Sequence, residues 1–299
     1  MRVFLFLCFV SITAFSQTVV LKNKVIDAYT NDPVAYANIS FLNENVGVSS
    51  DENGHFSLQI NKKLLKSKVH VSCLNYKDTV VLASVLQSES LKLQPKLYEL
   101  EEVIISKKAD RELVVDEYKR RDIKASFGGR KGSPWIVTKY FPYKSEYKNF
   151  PFLKSLRIYF TSFLSRKKAK FRVRFFKVDE KTGKPSEDIL KESLIVDVKK
   201  TNGKIEVDVS KFNIEFPNEG FFVGLERIHI PYNFHKIKYT KQGSRKKYKD
   251  TMIAPDFGAI YTKDSTWVKS SGKWVKYYFP QEFYKGNALK PAISVTLSN

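Results

Sequence analysis

The sequence predicts an all-β protein made of two antiparallel β-sandwiches joined by a charged linker. Short runs of residues alternate between apolar and polar, as in strands with one buried face. Clusters of turn-forming residues separate these runs. The chain has 299 residues, 42% of them hydrophobic, which is enough for two packed cores at ~100–200 residues per domain. Heptads and fixed-period repeats are absent from the sequence, which excludes fibrous and solenoid classes.

Residues 1–16 have the pattern of a secretory signal peptide. Arg2 precedes an apolar run over residues 3–10, and residues 14–16 (Ala-Phe-Ser) offer small residues for cleavage before Gln17. The alternative, a membrane anchor, needs ~20 apolar residues, and the run is shorter. We therefore expect an exported chain with no transmembrane span after cleavage, placed in the periplasm, at the outer membrane or outside the cell.

The first sandwich is predicted over residues 17–106. Alternating apolar residues mark three of its strand faces, and residues 30–33 and 51–54 have turn composition. About seven strands in ~90 residues argue for a compact sandwich. The predicted faces are Ala35, Ala37, Ile39 and Phe41; Phe56, Leu58 and Ile60; and Val69, Val71 and Cys73.

The first half contains a set of motifs in a fixed order, at residues 25–28, 32–39, 45–48, 50–58, 71–76 and 100–105. Together these motifs resemble the carboxypeptidase-regulatory-like domain common in Bacteroidetes envelope proteins. The resemblance implies a transthyretin-like sandwich of seven strands. Two positions where that family usually has Gly are Asn23 and Asn75, and Asn is the residue that best replaces Gly at positive φ.

The family name does not predict carboxypeptidase activity for this chain. Zinc carboxypeptidases use an H-x-x-E pair, and none of the four histidines (His55, His70, His229 and His235) is followed three residues later by Glu. We expect no metal and no other cofactor. Cys73, the one cysteine left after signal cleavage, is predicted to be a core residue rather than a nucleophile.

Residues 107–132 are charged and then Gly-rich, and they are predicted to be a linker with a short helix. The helix is expected over residues 109–122, with Asp110 as its N-cap and Leu113, Val114 and Tyr118 on one stripe.

The second sandwich, of jelly-roll type, is predicted over residues 133–299. Its segments 171–190, 207–214 and 221–226 resemble β-sandwich domains appended to secreted Bacteroidetes proteins, a resemblance that implies no defined activity. Six alternating runs predict strands: Leu156, Ile158 and Phe160; Phe171, Val173 and Phe175; Leu194, Val196 and Val198; Ile205, Val207 and Val209; Phe221, Val223 and Leu225; and Ile293, Val295 and Leu297.

Recognisable catalytic motifs are missing from the sequence. It has no G-x-S-x-G elbow, no H-E-x-x-H helix and no G-x-G-x-x-G turn. The Gly-rich residues 128–133 lack the order of a phosphate-binding loop, and His229 and His235 lack the neighbours of a metal site. We predict no catalytic residues. A hydrolase assembled in the second sandwich from distant positions is kept as an alternative.

The net charge of +21 belongs to the second half. Residues 17–106 carry 9 Lys against 10 Asp+Glu, whereas residues 107–299 carry 42 Lys+Arg against 21 Asp+Glu. One basic cluster comprises Arg166, Lys167, Lys168, Lys170, Arg172 and Arg174, and a second runs from Lys236 to Lys249 and includes Arg245, Lys246 and Lys247.

Alternation with Phe171, Val173 and Phe175 predicts that the cations of the first cluster face solvent and bind anions. Export separates the chain from nucleic acid, so the expected partner is an envelope protein, an anionic lipid headgroup or an acidic polysaccharide. We therefore predict a non-catalytic binding or structural module. A further alternative is carbohydrate binding on an aromatic platform of Trp267, Trp274, Tyr277 and Tyr278. The sequence does not predict the oligomeric state.

Overall fold

The computed structural model describes residues 17–97, 111–130, 132–161, 167–201, 203–241, 243–277 and 286–299. The predicted signal peptide, Arg166 and Tyr278 lie outside these ranges. The described residues form strands and short 3₁₀ turns, so the chain is all-β as predicted. Within the same ranges, no helix is long and apolar enough to cross a bilayer.

The first half is a sandwich of seven strands, which confirms the predicted fold. One sheet has the order β4-β1-β7 and the other β3-β2-β5-β6. The strands are β1 (Thr18–Asp27), β2 (Asn38–Phe41), β3 (Gly47–Ser49), β4 (His55–Asn61), β5 (Lys68–Ser72), β6 (Thr79–Leu82) and β7 (Leu91–Leu93).

The core of the first sandwich lies between these sheets. Ile39, Phe41, Val69 and Val71 are completely buried in it, on the faces that their alternation predicts. Cys73 lies half-buried against the same core, and burial raises the pKa of its thiol, so the thiolate that acts as a nucleophile is disfavoured.

The two Asn positions of the first sandwich differ in conformation. Asn75 has φ = 69°, the left-handed region that Gly usually occupies. Asn23 lies inside β1 rather than in a turn, and its side-chain amide donates to the Leu86 carbonyl oxygen at 3.1 Å.

The second half packs two larger sheets around one core. The first sheet has the order β13-β12-β16-β10-β19-β20, with β14 beside β12. Its strands are β10 (Trp135–Phe141), β12 (Ala169–Val178), β13 (Pro185–Asp188), β14 (Leu194–Val198), β16 (Phe221–Arg227), β19 (Thr266–Ser270) and β20 (Lys273–Tyr277).

The other sheet has the order β17-β18-β11-β22-β8, with β15 on β11 and both β21 and β9 on β18. The core between the two sheets contains the predicted residues Leu156, Ile158, Phe171, Val173 and Val295. The strands are β8 (Glu112–Val115), β9 (Ala125–Arg130), β11 (Phe152–Phe160), β15 (Gly203–Asp208), β17 (Phe234–Thr240), β18 (Lys247–Thr262), β21 (Ala288–Pro291) and β22 (Ile293–Ser298).

The helix predicted over residues 109–122 is wrong. Residues 109 and 110 lie outside the described ranges, and the rest contains β8, a connection and a 3₁₀ turn at Arg120–Asp122. β8 pairs antiparallel with β22, so its backbone groups are satisfied by the sheet and Leu113 and Val115 pack on the core. β9 pairs with β18. Much of the segment predicted as linker therefore belongs to a sheet of the second half.

Candidate functional site

The predicted solvent-facing stripe of Lys170, Arg172 and Arg174 is wrong for its two arginines. Arg172 is 1% exposed, and its Nη1 donates to both carboxylate oxygens of Glu226 at 3.1 and 3.2 Å. Its Nη2 donates to the Tyr36 carbonyl oxygen of the first sandwich at 3.3 Å. The alternation correctly places the cations on one face of β12, but the first sandwich covers that face.

Arg174 completes this buried ion cluster. Its Nε donates to Asp188 at 2.7 Å, and its Nη1 lies 3.6 Å from Glu226. Asn38 of the first sandwich donates a further hydrogen bond to Glu226 at 2.5 Å. Burial acts to raise the pKa of Glu226, but the positive charges of Arg172 and Arg174 outweigh it and hold that pKa below its usual value. The two arginines are therefore charged and compensated by Glu226 and Asp188 within the chain.

Polar contacts at three further places join the two halves. The His229 backbone N–H donates to Ser49 Oγ at 2.9 Å, and the Ser133 hydroxyl donates to the Val46 carbonyl oxygen at 3.1 Å. The Asn75 side chain donates to the carbonyl oxygen of Lys191. The sequence did not predict this interface because each of these residues is also common in turns or on exposed surfaces.

The remaining cations of the first cluster lie outside the buried network. Lys167 and Lys168 are exposed, and the Lys168 ammonium lies 4.2 Å from the Tyr232 ring centroid. Lys170 pairs with Glu52 at 3.3 Å. The side chain of His235 bonds to the Lys168 carbonyl oxygen at 2.9 Å, which places Lys167 and Lys168 beside β17.

The second basic cluster forms a two-stranded ribbon of β17 and the first half of β18, residues 234–253, which we call the basic ribbon. Lys238 lies directly opposite Lys249, and Thr240 lies opposite Lys247. Because side chains alternate along each strand, Lys236, Lys238, Lys247 and Lys249 share one face, and all four are exposed. The connection between the strands adds Lys241, Arg245 and Lys246.

Neutralising carboxylates are missing from the lysine face of the basic ribbon. Among the residues that the structure describes, no carboxylate forms an ion pair with Lys236, Lys238, Lys247 or Lys249. On the opposite face, Tyr239 stacks on Tyr248 with ring centroids 5.7 Å apart. The ribbon thus has one mixed face, with Ile237 and Asp250 beside the tyrosines, and one cationic face without ion pairs among the described residues. Arg245, Lys246 and Lys247, predicted from the sequence, belong to it.

The predicted aromatic platform is split between two faces of the β19–β20 hairpin. Trp267 lies opposite Lys276 and Trp274 lies opposite Lys269, so both tryptophans share a face with two lysines. That face packs on Ile136, Phe176 and Phe222. Tyr277 alternates to the other face, and Tyr278 lies outside the described ranges. The described members therefore do not form one stacking surface.

His229, considered as a metal ligand from the sequence, lies at the interface of the two halves. It is 1% exposed, and burial lowers its pKa to about 3, with the charge of Arg227 acting in the same direction. In the part of the chain that the structure describes, no three His, Cys, Asp or Glu side chains group as metal ligands.

Lys139 is a buried cation that sequence reasoning missed. Its ammonium is 2.9 Å from Asp116 and donates to the Tyr118 hydroxyl at 2.7 Å. Burial lowers its pKa to about 7, although Asp116 acts in the opposite direction. The only sequence feature that indicates the burial of Lys139 is its position in β10, where it alternates in phase with apolar residues.

Comparison with known proteins identifies the first sandwich. Residues 21–105 match the family model of the CarboxypepD_reg-like domain, which confirms the resemblance deduced from the motifs. The described part of this match forms the seven strands of the transthyretin-like sandwich. No curated protein matches the chain.

Proposed function

We propose that the protein is an exported, non-catalytic binding module whose basic ribbon contacts an anionic component of the cell envelope or its surroundings. Export is inferred from residues 1–16, which have the composition of a signal peptide. In that location the suitable anions are phosphorylated lipid headgroups and acidic polysaccharides. Both present repeated negative charges to a cationic surface.

The observation that carries the proposal is the arrangement of Lys238 and Lys249. Residues directly opposite each other in an antiparallel pair have Cβ atoms ~5 Å apart, and like charges on them destabilise the pair. Within the described residues this repulsion is not relieved by an ion pair, in contrast to Arg172 and Arg174. An anion outside the chain would supply the missing compensation.

The first sandwich serves as a docking or spacing unit in this proposal. It is nearly neutral in charge, and the buried cluster around Glu226 fixes it to the face of β12. A contact of buried charges and hydrogen bonds resists rotation more than an apolar contact alone. The first sandwich would therefore hold the basic ribbon in a defined orientation.

The test uses the chain from residue 17 onward and three probes: lipopolysaccharide, an acidic polysaccharide and vesicles containing phosphatidylglycerol. The variant is K236Q/K238Q/K249Q. The matched control is K62Q/K63Q/K92Q, which removes three exposed lysines from the first sandwich. Binding is measured by cosedimentation or calorimetry between 25 and 500 mM NaCl.

We expect binding to at least one probe, weakening as salt rises because exposed charges are screened. At about 1 kcal/mol per cation near an anionic surface, the ribbon variant should bind roughly 100-fold more weakly and the control should bind like the parent chain. Binding that ignores salt, absence of binding to all three probes, or equal losses in variant and control would each overturn the proposal.

A further inference from the structure

A large cleft opens on the second sandwich beside β18 and β9. Its volume is about 940 Å³, and it lies between residues 117–126, the end of β11 and the middle of β18. The glycines Gly128, Gly129 and Gly203 leave stretches of its wall without side chains. A side chain added at Gly129 or Gly203 would meet no atom within 4 Å. The cleft is large enough for a small organic ligand.

The floor of the cleft contains a buried carboxyl group. Three residues of β18, 254–256, lie opposite the single residue Gly128 of β9, which makes a bulge. The bulge directs Asp256 under Gly128, where a Cβ would lie 1.7 Å from Asp256 Oδ1. Bulges of this kind often redirect a side chain next to a functional site. Gly128 is therefore required by the position of Asp256.

Two polar atoms at this floor have no partner. Asp256 is 3% exposed, and neither its Oδ1 nor Thr161 Oγ1 forms a hydrogen bond with any described residue. A buried polar atom without a partner costs about 1–3 kcal/mol. Burial also raises the pKa of Asp256 to about 6, against the opposing effects of Arg227 and the Gly129 N–H. Arg227 donates through Nη2 to the Gly129 carbonyl oxygen at 3.2 Å, and its buried Nε has no hydrogen-bond partner among the described residues.

The rim of the cleft carries several cations, and one of its walls is apolar. Lys119, Arg120, Lys124 and Lys204 line the cleft and are exposed, and no described carboxylate forms an ion pair with them. Glu117 also lines the cleft, and its carboxylate pairs with Arg157 at 3.3 Å. Ile123 and Met252 line it as half-buried apolar side chains beside Tyr159 and Phe160. The cleft thus combines a cationic rim, an apolar wall and a hydrogen-bond acceptor at its floor.

We propose that this cleft binds a small amphiphilic anion that carries a hydroxyl group: an alkyl chain with a carboxylate or phosphate head. The head lies among Lys119, Arg120, Lys124 and Lys204. The alkyl body packs on Ile123 and Met252. The hydroxyl group approaches Asp256 and Thr161 at the floor. Their partnerless oxygens have almost no accessible surface in the free chain, so this contact needs a small shift of the Gly128 backbone that lies against Asp256 Oδ1. The site shares only Met252 with the basic ribbon, on the face opposite its lysines, and does not depend on the function of the ribbon.

The experiment measures binding of five ten-carbon probes to the chain from residue 17 onward by titration calorimetry. The probes are decanoate, 3-hydroxydecanoate, decyl phosphate, decanol and decylamine. Three variants alter the cleft: K124Q/K204Q at the rim, S126W to fill the space beside the exposed Ser126, and D256N at the floor. The control, K62Q/K63Q, removes the same charge from exposed positions of the first sandwich, outside both proposed sites.

We expect the anions to bind at least ~10-fold more tightly than decanol and decylamine, and 3-hydroxydecanoate more tightly than decanoate. Comparison of decanoate with decyl phosphate identifies the preferred head. K124Q/K204Q should lose ~10-fold in affinity for the anions, and S126W should abolish binding. D256N removes the charge of the acceptor but keeps an acceptor oxygen, so it should reduce the advantage of the hydroxyl group. The control should bind as the parent chain does, even if the basic ribbon binds no envelope anion.

Equal affinity for decanol and decanoate, no binding of any anion, or S126W binding as well as the parent chain would overturn the proposal. The far-ultraviolet circular dichroism and the unfolding midpoint of each variant show that it is folded. If S126W fails to fold, K124Q/K204Q still tests the proposal, because it changes only exposed side chains and should leave the fold intact.

Discussion

Arg172 on β12 and Glu226 on β16 lie opposite each other in register and form an ion pair in which both side chains are 1% exposed. Nη1 of Arg172 donates to both carboxylate oxygens of Glu226. Asn38 and the carbonyl oxygen of Tyr36 bring the first sandwich to the same cluster. The pair is thus both an element of one sheet and the centre of the interface between the two halves. Its loss would disturb both.

Replacing Glu226 by Gln should strongly destabilise the protein. The substitution leaves Arg172 without its carboxylate and Arg174 with Asp188 alone, and removing one partner of a buried ion pair costs about 3–5 kcal/mol. The free energy of unfolding in urea measures the effect. Glu187→Gln, at an exposed position of β13, is the control and should change it by less than ~0.5 kcal/mol. Similar values for the two variants would contradict the assigned role.

Replacing Lys238 by Glu should have opposite effects on stability and on binding. The new carboxylate faces Lys249 and turns a repulsive cross-strand pair into an attractive one, which should stabilise the fold by a few tenths of a kcal/mol, up to ~1 kcal/mol. Binding of the anionic probes should weaken and depend less on salt. Thermal unfolding and cosedimentation test the two effects. A variant that is less stable would show that Lys238 and Lys249 do not repel each other.

The buried Lys139 should make stability rise with pH above neutrality. Its pKa is about 7 in the folded chain and near 10.5 when unfolded, so between these values the unfolded state binds more protons. Stability should therefore increase by up to ~1.4 kcal/mol per pH unit from pH 7 to pH 9.

The control for this prediction is Lys139→Met, whose unbranched side chain is one atom shorter and lacks the titrating group. Urea unfolding at pH 7, 8 and 9 should show a steeper rise for the parent chain than for the variant. Parallel curves would mean that Lys139 stays protonated in the folded protein.

Gly128 and Asp256 should be energetically coupled. A methyl group at Gly128 would overlap Asp256, so Gly128→Ala should cost about 1–3 kcal/mol through overpacking. With Asp256→Ala in the same chain, the overlap is gone and the cost should largely disappear. Urea unfolding of the two single variants and the double variant gives the coupling energy. Additive effects would rule out the bulge geometry that forms the floor of the cleft.

The sequence was most informative where a pattern repeats locally. Alternation at Ile39, Phe41, Val69 and Val71 gave their buried face, and the ordered motifs led to the domain family that residues 21–105 match. The helix over residues 109–122 was wrong because Leu113 and Val115 also fit a strand, and pairing with β22 decided between the two. A short apolar stripe does not distinguish a helix from a strand without its neighbours.

Alternation along β12 determined that Lys170, Arg172 and Arg174 share a face, because a strand's side-chain period is fixed by backbone geometry. What covers that face was decided only by tertiary structure, since docking of the first sandwich depends on residues more than 100 positions away. The same division holds at the cleft, where the glycines of β9 are visible in the sequence but Asp256 reaches them only through the pairing of β9 with β18. Local geometry is encoded in neighbouring residues, whereas burial and charge compensation depend on contacts between distant ones.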